Sequence, residues 1–132
     1  MSTVLITGPT AGIGKAIAFQ MAEKGYDILL VARRERRLKE ISSKLQQKFN
    51  VEVNYFVADL KDKTTPQKIY DHCKLSNLDI SILILNAGYQ INTRLEDASL
   101  DDEEDCLRVL GISVIMLTKL FLNDLKRRNG EI

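Results

Sequence analysis

The chain is expected to fold as an α/β protein: a parallel sheet of about four strands with helices on both faces. Three features point there. Apolar runs of strand length alternate strictly with segments whose apolar residues recur at helical spacing. The strand runs are apolar throughout rather than at every second position, as strands covered on both faces are. A glycine cluster closes the first strand and opens the first helix, and strict alternation of this kind implies right-handed crossovers.

Each element has its own signal. Thr3–Thr7 is a short β-branched run ending at Gly8, Gly12 and Gly14. Ile13–Lys24 reads as a helix, with Gly25 where a left-handed carboxyl-terminal cap belongs. Ile28–Ala32 is a continuous apolar run of strand length, and Leu38, Ile41, Leu45 and Phe49 then mark one face of a second helix. Val51–Val57 is a third strand. Thr65-Pro66 reads as a cap followed by proline at the first helical position, opening a helix to about Leu75.

Ile80–Leu85 is the fourth strand, bounded by Asn77 and Asp79 before it and by Asn86-Ala87-Gly88 after it. Beyond a polar loop, Ser99 and Asp102 make a capping box for the last helix. That helix carries Leu107, Leu110, Val114, Leu117, Phe121 and Leu125 on one stripe. Ile112, Ile115, Met116 and Leu120 make other faces apolar too, which predicts packing on two sides. Glu131-Ile132 reads as the first step of another strand.

The 132 residues suit one domain, 1–132, and 45% hydrophobic with 28% charged residues is a globular composition. Nineteen basic against eighteen acidic residues leave a net charge of +1, without the basic excess that organises binding to nucleic acid or an anionic membrane. Cys73 and Cys106 are isolated, so a disulfide framework or structural zinc is not expected. No apolar run approaches the ~20 residues of a membrane span, and no cationic leader precedes the first strand. These readings predict a cytoplasmic chain with no nucleic-acid or membrane partner.

Glycines between a strand end and a helix start make a phosphate site by backbone geometry. The turn needs residues without a Cβ, and the helix amino terminus offers unpaired N–H groups to an anion. The spacing here is G-x-x-x-G-x-G. A Walker loop would have its second glycine one residue later, followed by Lys-Ser/Thr, whereas here Lys15 precedes Ala16. The pattern G-x-G-x-x-G also fails, because Gly12-Ile13-Gly14 runs into Lys15-Ala16-Ile17. A glycine turn without a ligand is the plain alternative.

Thr7-Gly8-Pro9-Thr10-Ala11-Gly12-Ile13-Gly14 resembles the TGxxxGxG motif of the short-chain dehydrogenase/reductase family. Asn86-Ala87-Gly88 resembles that family's NAG motif, and Asp59 its adenine-contacting aspartate. The three occur in order, each at the carboxyl end of its strand. Leu117-Thr118-Lys119-Leu120-Phe121-Leu122 also resembles the fourth-crossover helix, especially of ketone-reducing and fatty-acyl or steroid-like members. The likeness spans the whole chain but only about the first half of the family's usual domain.

The resemblance implies the amino-terminal half of a Rossmann-type NAD(P)-binding domain, strand order 3-2-1-4, with a dinucleotide across the strand ends. Gly8, Gly12, Ile13 and Gly14 would hold the pyrophosphate, Asp59 the adenine, and Asn86, Ala87 and Gly88 would line the adenosine ribose. The second strand ends Val31-Ala32-Arg33-Arg34, without a carboxylate at its tip. Arginines there suit a 2′-phosphate rather than a free 2′-hydroxyl, so NADP(H) is expected over NAD(H).

The family's chemistry uses a tyrosine general acid, a lysine four residues on that lowers its pKa, a serine, and an asparagine on the fourth-crossover helix. Only Tyr70 has a lysine at that spacing, Lys74, but it lies between the third and fourth strands, where it is expected to face solvent. The asparagine's place is taken by Leu110, and the serine, tyrosine and lysine would lie past Ile132. No catalytic residue and no metal ligand is therefore assigned. The acidic run Asp101–Asp105 reads as a helix amino terminus, and His72 as a surface residue.

Two function classes follow. One is an NADP(H)-binding protein of the carbonyl/alcohol oxidoreductase lineage, whose small carbonyl or alcohol substrate needs a catalytic half. The other is a catalytically inactive truncated nucleotide-binding or interaction module. The apolar run Ser81–Leu85, without charge, proline or bulge signal, is also expected to leave a sheet edge that favours self-association.

Overall fold

The structure is a computed structural model describing residues 2–130 and Ile132. Strands β1 (Thr3–Thr7), β2 (Asp27–Ala32), β3 (Val53–Val57) and β4 (Ile80–Leu85) form one parallel sheet in the order β3-β2-β1-β4. Helices α1 (Gly12–Glu23), α2 (Glu35–Phe49) and α3 (Thr65–Leu75) make the crossovers. After β4 come α4 (Leu100–Leu107) and α5 (Ser113–Arg127), joined by a π-helical turn over Arg108–Ile112. This is the expected Rossmann-like α/β arrangement. Glu131 lies outside the described residues, and with it the expected start of another strand.

All five residues of β1 are buried, because both faces of the central strand are covered. Leu5, with Leu29 and Val31 of β2 and Leu83 of β4, packs under α3 and α5 through Ile69, Cys73, Leu117, Phe121 and Leu125. Val4 and Ile6, with Ile28 and Leu30, pack on the other side under Ala18 and Ala22 of α1 and Leu38, Ile41 and Leu45 of α2. Small alanines let α1 lie close to the sheet, and the wider α2 stripe covers its edge. Burying each large aliphatic side chain contributes about 1.5–3 kcal/mol.

Helix ends use left-handed residues where the chain must turn sharply. Gly25 (φ +90°) ends α1, with Tyr26 N–H donating to Met21 O and Gly25 N–H to Ala22 O. Asparagine takes the same role after α2, α3 and α5, at Asn50, Asn77 and Asn129. After α5, Gly130 N–H donates to Leu125 O at 2.8 Å. Gly130 then lies so close to the Ser81 carbonyl that a Cβ would collide with it. Beyond that contact, the outer edge of β4 pairs with no strand among the described residues.

Two expectations need correction. Thr65 is not the cap of α3 but its first residue; its buried hydroxyl donates to the Asp59 carbonyl at 2.6 Å. Asp62 organises the turn instead, its Oδ1 accepting from both the N–H and the hydroxyl of Thr64, which lowers the Asp62 carboxyl pKa. In the last helical segment the buried stripe runs Val109, Ser113, Leu117, Phe121 and Leu125, while Leu107, Leu110, Ile112 and Ile115 are exposed. The π turn widens the helix by part of a residue, so 3.6-residue periodicity carried back from α5 selects the wrong face before Ser113. Ser113 itself donates to Val109 O at 2.7 Å inside that turn. The second apolar side of this segment is therefore uncovered in the described chain.

Asp124 joins α5 to α3. Its carboxylate, almost buried, accepts from Lys74 Nζ at 2.7 Å and pairs with Arg127. Next to it Tyr70 packs edge-on against Phe121, centroids 5.0 Å apart, and Arg128 pairs with Asp79. Burial pushes the Asp124 pKa up, but the hydrogen bonds from Lys74 and Arg127 outweigh it and hold the carboxyl below its ordinary value. The same bond raises the Lys74 ammonium. A depressed carboxyl pKa stabilises the fold fully above the unfolded value and loses that contribution as pH falls through the folded value. Asp124→Asn is expected to destabilise the protein by roughly 1–3 kcal/mol near neutral pH, since both cations reach solvent and are partly screened. The deficit should shrink on acidification below the carboxylate range; urea denaturation at several pH values checks this, and a pH-independent deficit would refute the assignment.

Candidate functional site

The carboxyl ends of the strands are tied together by a few polar contacts. Thr7 Oγ1, buried at the end of β1, accepts the N–H groups of Asn86 (3.0 Å) and Ala87 (3.1 Å), which follow β4. Asn86 Nδ2 donates back to Gly8 O at 3.0 Å. On the other side, Gly8 N–H reaches Val31 O and Ala58 N–H reaches Ala32 O, so the β1, β2 and β3 ends stay in step. The chain order turns from β2 on one side of β1 to β4 on the other, so the two segments leaving β1 and β4 part over the sheet. A crevice opens there.

Glycines make the close approach possible. Gly8 (φ +68°) lies against Ala87; a Cβ on it would come within 2.8 Å of the Ala87 Cα. A Cβ on Gly14 would strike both the Gly8 carbonyl and the Asn86 side-chain amide. Gly12 (φ +57°) has open space around it, at the exposed tip of the loop with Ile13. No side chain caps α1 at Ala11 and no acidic residue stands in its first turn. Its amino-terminal N–H groups have the geometry and local charge that suit an anion.

Beside this loop lies a cleft of about 190 Å³. Gly8 and Thr10 line it from the glycine loop, Ala32 and Arg33 from the end of β2, and Asp59, Leu60 and Lys61 from the end of β3. Ala87, Gly88 and Tyr89 close it after β4, and Val109 of the π turn forms part of its apolar wall. The structure thus gathers Gly8, Arg33, Asp59, Ala87 and Gly88 around one space. Gly12, Ile13, Gly14 and Asn86 do not line it; Gly14 and Asn86 pack against Gly8, and Gly12 and Ile13 are exposed at the start of α1. Arg34 is exposed at the cap position of α2 and does not line the cleft.

Sequence reasoning missed Thr10, Lys61, Tyr89 and Val109. Asp59-Leu60-Lys61 carried a signal: an apolar residue between two charged ones at a strand end turns both charges away from the core. Tyr89 follows the Asn86-Ala87-Gly88 motif directly. Desolvation, with the carboxylates of Asp102 and Asp105 near it, raises the Tyr89 phenol pKa, Arg33 opposing. The tyrosine therefore stands between the cleft and the acidic start of α4. In that start, Ser99 Oγ accepts from Asp102 N–H at 3.1 Å, as a cap should.

Other chemistry-bearing residues lie elsewhere. Lys74 is exposed as expected and pairs with Asp124, while Tyr70 is partly buried against Phe121; both lie between α3 and α5, outside the cleft. His72 stacks on Phe56 with centroids 4.7 Å apart. Burial pushes the Cys73 thiol up to about 12, against the pull of Lys74, which leaves it protonated and inert. Leu110 is about half exposed on the π turn. Among the described residues, no group of three or more His, Cys, Asp or Glu could hold a metal, and no helix is long and apolar enough to cross a membrane.

A parallel α/β sheet with a glycine loop, an uncapped helix and a cleft at the point where strand order reverses is the architecture of the dinucleotide-binding class. Within it, the chain belongs to the short-chain dehydrogenase family, which matches residues 2–132. It is 33% identical over 134 residues to the very-long-chain 3-oxoacyl-CoA reductase of Rattus norvegicus, covering 97% of this chain and 42% of that protein. It is 30% identical over 133 residues to the NADP-dependent 3-hydroxy acid dehydrogenase of Schizosaccharomyces pombe, covering 98% and 51%. The alcohol dehydrogenase of the archaeon Thermococcus sibiricus, solved with 5-hydroxy-NADP, superposes with a TM-score of 0.89 at 33% identity, covering 98% of this chain and 55% of that one. The chain thus spans about half the length of these relatives and is related to oxidoreductases.

The junction can be broken in two ways. Thr7→Val leaves the Asn86 and Ala87 N–H groups without their acceptor and is expected to destabilise the protein by roughly 1–3 kcal/mol, with Thr7→Ser close to neutral. Gly14→Ala forces the loop off the segment after β4, at a cost of about 1–3 kcal/mol or more. Denaturant unfolding of the three variants checks both; full stability of Gly14→Ala would show that the close approach is dispensable.

Proposed function

We propose that the cleft receives the adenosine end of NADP(H), and that the chain is the cofactor-binding part of an oxidoreductase acting on a carbonyl or alcohol group. The observation that carries this reading is the gathering of Gly8, Arg33, Asp59 and Gly88 around one cleft beside an uncapped helix start. The residues fit the group. N–H groups of Gly12, Ile13 and Gly14 offer donors to the pyrophosphate, with no carboxylate in the first turn to repel it. Asp59 would accept from the adenine amino group, and Ala87 and Gly88 would line the adenosine ribose, with Asn86 holding the Gly8 turn. Arg33 supplies the cation for a 2′-phosphate, with Arg34 next to it at the start of α2. When bound, the nicotinamide would supply or take up hydride.

The names of the Schizosaccharomyces pombe and Thermococcus sibiricus relatives, one NADP-dependent and one solved with an NADP derivative, support the choice of the phosphorylated cofactor. Two observations favour the second reading, a nucleotide-binding module without activity of its own, for these 132 residues. Leu110 occupies the place the family gives to a polar relay residue, and Lys74, partner in the one tyrosine–lysine pair at the family's spacing, is committed to Asp124. Binding and hydride transfer therefore separate the two.

NADPH is expected to bind more tightly than NADH, and Arg33→Ala to remove most of the difference, roughly 1.5–3 kcal/mol for a charge-assisted contact. Calorimetric titration of both cofactors checks this, and equal affinities in the parent protein would overturn the assignment. Tyr70→Phe should leave cofactor affinity unchanged.

A further inference from the structure

We propose that Lys61, rather than Arg34, is the second cation that selects a 2′-phosphorylated nucleotide. The proposal rests on the reading of the cleft as an adenosine site and adds to it the residue that sets its preference. Arg33 and Lys61 are the two cations among the residues lining the cleft, and Asp59 is the one carboxylate. Arg34 turns away with the start of α2, whose first residue follows it directly.

The segment after β3 explains why Lys61 arrives there. Leu60 is buried in the core, so the residues flanking it, Asp59 and Lys61, face outward. Thr65 Oγ1 holds the Asp59 carbonyl, and Asp59 Oδ1 accepts the Lys61 N–H at 3.0 Å. The backbone of Lys61 is thereby fixed while its side chain remains free to reorient. Its ammonium stands 3.8 Å from Asp59 Oδ2, with both side chains more than a third exposed. An ion pair that long and that wet holds its partners weakly.

Nucleotide binding changes the balance at this pair. An adenine amino group donating to Asp59 occupies the carboxylate that Lys61 now shares. A 2′-phosphate offers the ammonium a stronger anion within the same cleft. Lysine suits the task because it meets phosphate as a point charge on a flexible stem and needs no fixed bidentate geometry. In the empty cleft Asp59 offsets the charge of Lys61 and leaves that of Arg33, and the pair releases its cation when the ligand carries its own negative charge.

The test is calorimetric titration of the protein and of Lys61→Gln, Lys61→Arg and Arg34→Gln with adenosine 2′,5′-bisphosphate and with adenosine 5′-monophosphate. Lys61→Gln should lose roughly tenfold or more in affinity for the bisphosphate, as expected for a charge-assisted contact, and nothing for the monophosphate. Lys61→Arg should retain most of the preference, and Arg34→Gln should stay within about twofold of the parent, as exposed charges do. Full retention of the preference in Lys61→Gln overturns the role of Lys61 alone. Equal loss of both nucleotides also overturns it, because Lys61 would then act only by positioning Asp59. A parent that binds neither nucleotide, or both equally, overturns the reading of the cleft itself.

Discussion

Thr7 ends a strand whose every side chain is buried, and its hydroxyl has nowhere to go but toward the backbone that leaves β4. Two N–H groups bind that one oxygen while the Asn86 side chain returns a bond to Gly8. Because Gly8 and Gly14 have no side chain, the loop, α1 and the segment after β4 meet at backbone distance. This junction decides where α1 starts, where Ala87 and Gly88 lie, and how far the β2 and β3 ends stand from both. A residue with a Cβ at Gly14 would open all of these at once.

The opposite end of the architecture is held by charge rather than by close approach. Lys74 of α3 and Asp124 of α5 bind the two helices together, with Arg127 on the same carboxylate and Tyr70 and Phe121 packed beside them. A tyrosine and a lysine four residues apart here serve packing and docking, because the fold places them on the flank of the sheet and not at its strand ends. The same spacing acquires chemical meaning only where a bound cofactor can be reached.

The π turn at Arg108–Ile112 links the two regions. It inserts Val109 into the cleft wall and Ser113 into the core, and it turns Leu107, Leu110, Ile112 and Ile115 outward. One widened helical turn thus decides which apolar residues belong to the cleft and which form an uncovered surface.

The sequence by itself determined the elements and their alternation, while the strand order followed from its resemblance to the short-chain dehydrogenase/reductase family. The elements depend on apolar periodicity and on glycine at a helix end, which act between near neighbours. It also marked the glycine loop, because the turn there needs residues without a Cβ, and the family resemblance marked Asp59 and Asn86-Ala87-Gly88. Only the tertiary structure decided that Lys61 and Tyr89 share the cleft with Arg33 while Arg34 does not, and that Lys74 belongs to Asp124. Those partners are chosen across separations such as the 50 residues between Lys74 and Asp124 or the 79 between Thr7 and Asn86. At such distances no local pattern specifies which side chains meet. The packing of helices on the two faces of the sheet brings them together, and the width of a single helical turn is enough to change the answer.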